Sequence, residues 1–208
     1  MEKKIPLVIA TGNPGKTAEI QDLLTGFPVE VKNLADFGPI PAVAEDGKTF
    51  DDNAYKKASF TAKILGLPAL ADDSGLVVEA LGGAPGVLSA RYAGENATDA
   101  QRCAKLLREM IGKADRRAAF ECVIAIAVPS GAALTYKGRC EGLIAEGPAG
   151  QNGFGYDPIF FYPSLQKTFA QLTREEKSRV SHRARALNEM KQEFGKVLIW
   201  VRRHLPLQ

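Results

Sequence analysis

Between Ala118 and Val128 the chain sets a single charge, Glu121, among eleven residues, then turns at Pro129-Ser130-Gly131. It returns from Ala132 to Cys140 with Leu134 and Tyr136 alternating against Thr135 and Lys137. A run that apolar is suited to burial on both faces, so the segment reads as a hairpin of long strands central to a sheet. The flanking segments supply the helices that such a sheet needs for cover.

Ile5 to Ala10 is a short apolar run closed by Thr11-Gly12-Asn13-Pro14-Gly15, which predicts a buried strand entering a tight turn. A helix follows, with Asn13 as cap, Pro14 in the first position, and Ile20, Leu23, Leu24 and Phe27 at helical spacing. Thr49-Phe50-Asp51-Asp52 starts a second helix running to about Leu65, with Phe50, Ala54, Ala58 and Leu65 on one face. Thr98 and Gln101 form a capping box for a third, whose stripe is Cys103, Leu106, Leu107, Met110 and Ile111 before Gly112. Thr173 to Glu176 is another capping box, and Ser181 opens a final helix on which Leu187, Met190 and Phe194 share a face. Gly142 to Pro158 carries five glycines and little periodicity, the signature of a functional loop. With no repeat, linker or low-complexity segment, residues 1–208 read as one α/β domain, with room for two lobes.

Composition excludes several functions. A net charge of +3, with 45% hydrophobic and 25% charged residues, argues against a disordered chain or a polybasic nucleic-acid binder. A domain of this length buries roughly 70% of the surface its unfolded chain exposes, so any metal would serve chemistry and not folding. Cys103, Cys122 and Cys140 are odd in number and far apart, which suits reduced core thiols and a cytoplasmic location. The first apolar run is too short for a signal-peptide core, and no stretch reaches the ~18 apolar residues of a membrane span. With only His182 and His204, multi-histidine metal sites are excluded. The small total hides an asymmetry: residues 174–208 hold nine Lys/Arg against four Asp/Glu, so residues 1–173 carry a net −2. That segment is either a solvated basic helix or a phosphate-binding wall.

Five segments can carry chemistry. Thr11-Gly12-Asn13-Pro14-Gly15-Lys16-Thr17 joins a strand to a helix, where backbone N–H groups, the helix dipole and Lys16 favour an anion. It matches the phosphate-loop pattern except for Ala10 in place of the first glycine, and its plainer reading is a turn with a solvated lysine. Asp72 and Asp73 follow Leu67-Pro68-Ala69-Leu70 at the mouth of a short strand. Adjacent carboxylates repel unless a cation intervenes, and in extended chain only one of them faces a given side. The pair is a Mg²⁺ ligand and water activator or an Asx turn, and Glu45-Asp46 is a candidate second ligand. Leu81 to Gly86 with Ser89-Ala90-Arg91-Tyr92 is a bend, or a place from which Arg91 reaches phosphate or a partner subunit. Gly153-Phe154-Gly155-Tyr156-Asp157-Pro158 offers a ring for stacking on a purine, or is a loop pinned by a buried Phe. Lys177, His182 and Arg183 bring three potential cations near a helix start.

Taken in order, ATGNPGK, DGKTFDDNAYKKA, LADDSGL, LGGAPGVLSARYAG, GFGYDPIF and LTREEKSRVSHRARAL resemble the inosine triphosphate pyrophosphatase family, in its bacterial branch, from Ala10 to about Leu187. The resemblance implies an elongated mixed β-sheet flanked by helices, two lobes around a central cleft, and a homodimer. It implies Mg²⁺-dependent cleavage of nonstandard purine nucleoside triphosphates (ITP, dITP, XTP) to the monophosphate and pyrophosphate, with no nucleic-acid partner and no membrane. On this reading Thr11, Gly12, Asn13, Pro14, Gly15 and Lys16 hold the triphosphate, and Lys57 faces it. Asp73 is metal ligand and proton acceptor, with Ser74 touching substrate beside it. Phe154, Gly155, Tyr156 and Asp157 frame the base, and Lys177, His182 and Arg183 complete the nucleotide site. Family members carry a metal-binding glutamate before this glycine turn, often as Glu-Glu, whereas here the order is Ala44-Glu45-Asp46-Gly47. Glu45 then serves as metal ligand only by a local shift. Two other classes fit parts of the chain: a phosphate-loop phosphotransferase or GTPase, and a non-catalytic nucleotide-binding protein.

Overall fold

The computed structural model describes residues 4–205. The charged head before Lys4 and the end of the basic segment after Leu205 lie outside the described residues. Seven strands form one mixed sheet in the order β2-β1-β3-β4-β5-β6-β7: β1 Ile5–Ile9, β2 Val29–Asn33, β3 Ala69–Val78, β4 Arg117–Ala127, β5 Ala133–Ile144, β6 Phe160–Tyr162 and β7 Lys167–Thr168. β1 is parallel to β2 and β3, whereas β6 is antiparallel to β5 and β7. Among the described residues six α-helices accompany it: α1 Pro14–Leu23, α2 Phe50–Leu65, α3 Asp99–Glu109, α4 Arg174–Val180, α5 His182–Gln192 and α6 Phe194–His204. The apolar strand β4 lies fourth of seven, central as its composition requires. Among the described residues no helix is long and apolar enough to cross a membrane.

The chain divides into two compact units, the first holding residues up to Asp73, Val123–Gly138 and those from Ala186 onward, the second Ser74–Cys122 and Arg139–Arg185. In the first, Leu7, Val8 and Ile9 of β1, Ile20 of α1 and Ala54, Ala58 and Ala62 of α2 are buried. The alanine stripe of α2 permits close packing, and Phe27 meets Phe194 edge-on at 4.2 Å between ring centres. In the second, Leu76, Leu106, Met110, Phe120, Phe160 and Phe169 share one core. Phe160 and Phe169 lie 4.6 and 5.7 Å from Phe120, ring centre to ring centre.

Local chemistry sets the helix ends. Asn13 caps α1 by accepting the Lys16 N–H, and Thr49, Thr98 and Thr173 close reciprocal capping boxes on α2, α3 and α4. Gly66 ends α2 in the left-handed conformation at φ 65°. Three expectations need correction. The strand holding Asp72 and Asp73 continues to Val78, so the acids lie within it and not at its mouth. The helix expected to run from Ser181 past Phe194 breaks at Glu193 (φ −106°, ψ 9°) into α5 and α6. Ile111 is 78% exposed, because α3 stops at Glu109 before its stripe can turn inward again.

Candidate active site

The strand–turn–helix at Thr11 to Lys16 stands where the sequence places it. Thr11 Oγ1 accepts the Asn13 N–H at 3.2 Å, and Asn13 Oδ1 accepts that of Lys16 at 3.1 Å. Pro14 brings no N–H, so the turn offers an anion chiefly the helix dipole and the Lys16 ammonium. That ammonium lies 3.1 Å from Asp72 Oδ2, a side chain with no exposed surface.

Asp73, the next residue on β3, has a different lysine. Lys57 Nζ, two turns into α2, donates to Asp73 Oδ1 at 3.3 Å and to Glu45 Oε2 at 2.9 Å. The alternation of an extended chain thus assigns each adjacent acid its own cation: Asp72 to Lys16 and Asp73 to Lys57. It also draws Glu45, the candidate left beside Ala44, to the ammonium that touches Asp73. Asp46 pairs instead with exposed Lys56 at 2.6 Å.

Asn53, which the sequence motifs did not single out, completes this group. It is 1% exposed; its Nδ2 donates to Asp73 Oδ2 at 3.1 Å, and its Oδ1 accepts the Gly47 N–H at 2.8 Å. One amide therefore ties the turn that carries Glu45 to the carboxylate of Asp73. The only sequence signal was helical spacing: Asn53 stands four residues before Lys57, so both project from one face of α2.

Burial pushes the Asp73 carboxyl above the ordinary carboxylate range, against the pull of Lys57, Lys16 and the Asn53 amide. Burial alone would lower the Lys57 pKa, but Asp73, Asp72 and Glu45 outweigh it and raise that value. The arrangement combines a carboxylate of increased basicity with an ammonium that keeps its proton.

The second unit holds the remaining candidates. Arg183, 1% exposed, donates to Ser74 Oγ at 3.1 Å. Lys177 Nζ donates to Asp157 Oδ2 at 2.6 Å and lies 4.7 Å from the centre of the Phe154 ring, a cation–π distance. The same Asp157 oxygen accepts the Phe154 N–H at 2.9 Å. Gly153 must be glycine, since φ is 76° and a Cβ there would collide with that carboxylate. Tyr156, 4% exposed, belongs to the core and donates its hydroxyl to Ser89 O at 2.9 Å. The His182 ring lies flat on Phe120, 4.8 Å between centres. Phe154, Gly155, Asp157, Lys177, His182 and Arg183 thus belong to one unit, whereas Thr11 to Lys16, Glu45, Lys57 and Asp73 belong to the other.

Fold and site together define an α/β protein in which two acids of β3 and Glu45 of the preceding loop are interleaved with two lysines from α1 and α2, and in which a buried lysine of α4 underlies the Phe154 ring. The chain belongs to the Ham1 family, whose profile matches residues 7–193. It is 58% identical over 199 residues to a dITP/XTP pyrophosphatase of Desulfotalea psychrophila, covering 96% of this chain and 89% of that one. It is 61% identical over 195 residues to a dITP/XTP pyrophosphatase of Syntrophobacter fumaroxidans, covering 94% and 84%. The solved structure of a HAM1 protein from Coxiella burnetii superposes with a TM-score of 0.85 at 46% identity, covering 92% of this chain and 99% of that one. The Ham1 protein of Staphylococcus aureus gives 0.83 at 44%, covering 92% and 98%.

Proposed function

We propose that this chain hydrolyses nonstandard purine nucleoside triphosphates, dITP, ITP and XTP, to the nucleoside monophosphate and pyrophosphate. The observation that carries the reading is the Asp73–Lys57–Glu45 group beside Lys16, in a chain 58% and 61% identical to two proteins named dITP/XTP pyrophosphatase. Lys16 and Lys57 bind the polyphosphate, exchanging their carboxylate partners for phosphate oxygens. Asp73 accepts a proton from the attacking water, whose oxygen bonds to the α-phosphorus as the bond to the bridging oxygen breaks and pyrophosphate leaves. Asn53 holds that carboxylate in one orientation. Phe154 stacks on the base, and Lys177, His182 and Arg183 complete the nucleotide site.

The donor set fits Mg²⁺. Among the described residues no group of three or more His, Cys, Asp or Glu could hold a metal, but Mg²⁺ needs only one or two carboxylates beside water and phosphate oxygens. Asp73 and Glu45 would supply them, since both reach the Lys57 ammonium and so lie within one cation's neighbourhood. When bound, the ion offsets phosphate charge and acidifies water. A pocket with donors for a purine's 6-oxo group leaves one of them facing adenine's amino group, at about 1–3 kcal/mol per unpaired buried group. We extend the proposal to a single domain over residues 1–208, acting as a cytoplasmic homodimer without a nucleic-acid partner.

The test is incubation with Mg²⁺ and each of ITP, dITP, XTP, GTP and ATP, followed by identification of the released anion. Pyrophosphate from the 6-oxo substrates supports the reading; orthophosphate indicates a phosphotransferase-like hydrolysis instead. No release from any of them leaves a nucleotide binder.

A further inference from the structure

Resting on the reading above, the geometry points to Asp99, in the first turn of α3, as a positioning residue that sets the Phe154 loop and thereby the enzyme's affinity for the purine base. Its Oδ2 accepts the Gly155 N–H at 2.6 Å. Four residues on, on the same helix face, Cys103 Sγ lies 3.4 Å from the carbonyl oxygen of Gly155. Both polar groups of this residue are thus held by one turn of one helix. Burial, with Asp99 and Asp157 nearby, pushes the Cys103 thiol up to about 12, so it stays protonated and able to donate.

Gly155 needs such a clamp. Its φ is 63°, and a Cβ would meet no neighbouring atom within 4 Å, so packing does not dictate the conformation. What fixes the peptide is the pair of bonds to α3. Just upstream, the Phe154 N–H is held by Asp157, which also binds Lys177 beneath the Phe154 ring. The ring is therefore set by two consecutive N–H groups, each bound to a different carboxylate. Asp99 is in turn steadied by Arg102, whose guanidinium pairs with its Oδ1 and also donates to Ala90 O at 2.9 Å and to Ala97 O. Tyr156 anchors the far side through Ser89, whose Oγ donates to Gly86 O at 2.6 Å and accepts the Leu76 N–H at 2.9 Å. Its bonds run to Gly155 and Arg102, within the unit that holds the Phe154 loop, so its influence is assigned to base binding.

The experiment compares wild type, Asp99→Ala and Asp99→Asn in three measurements. These are steady-state hydrolysis of ITP, calorimetric binding of inosine monophosphate without metal, and inhibition by inorganic tripolyphosphate with Mg²⁺. Asn retains a carbonyl acceptor for the Gly155 N–H; Ala retains none. We expect Asp99→Ala to raise KM for ITP and weaken inosine monophosphate binding by about tenfold, the scale of one hydrogen bond, with kcat within threefold. Tripolyphosphate inhibition should be unchanged, and Asp99→Asn should recover most of the loss. Because an acid in the first turn also favours the helix dipole, melting curves of both variants are recorded; a purely structural role would lower stability in both and spare neither ligand. The inference is overturned if Asp99→Ala matches wild type with ITP, if it loses tripolyphosphate in equal measure, or if Asn behaves no better than Ala. Wild-type protein that does not hydrolyse ITP would instead sink the functional reading on which the inference stands.

Discussion

Replacing Gly47 by alanine tests the link between the Glu45 turn and Asp73 with a single methyl group. Gly47 does not adopt a left-handed backbone conformation, so alanine suffers no backbone penalty there and its effect is steric. The added Cβ would lie 2.5 Å from Asn53 Oδ1 and 2.6 Å from Asp52 Cβ, where ordinary contact begins at 3.4 Å. Relief requires close to 0.9 Å of separation, and the 2.8 Å bond from the Gly47 N–H to Asn53 Oδ1 does not survive it. Losing that bond costs about 1–2 kcal/mol, which for a chain of this size lowers the melting temperature by about 2–8 °C. Turnover falls further, because Asn53 also orients Asp73 at 3.1 Å and a misplacement near 1 Å costs on the order of 10²-fold. Steady-state kinetics with dITP should therefore show kcat reduced roughly 10- to 100-fold, against a smaller change in KM. Asn53→Ala should lower kcat similarly, and the double variant should lose less than the product of the two single effects, since both cut the same path. A Gly47→Ala protein with wild-type kcat and an unchanged melting curve would show that the turn and Asp73 are not mechanically joined.

Asp73→Asn, nearly isosteric, should cut turnover by at least ~10²-fold while leaving inosine monophosphate binding intact, as a rapid-quench and calorimetry comparison would reveal. Lys177→Met removes the ammonium bonded to Asp157, leaving a carboxylate whose side chain is 3% exposed without that counter-ion, and should destabilise the protein by about 3–5 kcal/mol in urea unfolding; adding Asp157→Asn should restore part of that. Arg117 holds the exposed Asp115 carboxyl down from its ordinary 3.8 to about 2. Its folded value being the lower one, Asp115 contributes stability above pH 4 that is lost as pH falls toward 2, so Asp115→Asn should flatten the acid limb of a pH–stability curve.

How far the sequence reaches can be judged element by element. The capped helices α1, α2 and α3 begin where Asn13, Thr49 and Thr98 require, because a cap is a local bond between residues three apart. The strands β2, β6 and β7 escape such reading: β6 and β7 have only three and two residues, β2 breaks its apolar run with Glu30 and Lys32, and all three exist through the neighbours they pair with. Lys16 and Asp73 were legible in their own segments, and Lys57 only through the family resemblance. Their pairing was not, since it depends on where α1 and α2 lie against β3. Asn53 and Asp99 were invisible for a related reason. A neutral amide in a helix and an acid in a first turn are both ordinary, and only tertiary contact gives them something to hold.

The lysines that divide Glu45, Asp72 and Asp73 among themselves act as resident counter-ions. An arriving ligand must displace a partner tethered within the same molecule, which competes at high effective concentration, and a lone divalent ion or a bare polyphosphate opposes that competition with only half of the required charges. On the proposed reading, a metal–nucleotide complex would bring both signs at once, its phosphates pairing with the ammonium groups of Lys16 and Lys57 and its cation with the carboxylates of Glu45 and Asp73. Such an exchange would conserve ion pairs throughout, and the site would then discriminate against partial ligands before any contact with the base is made.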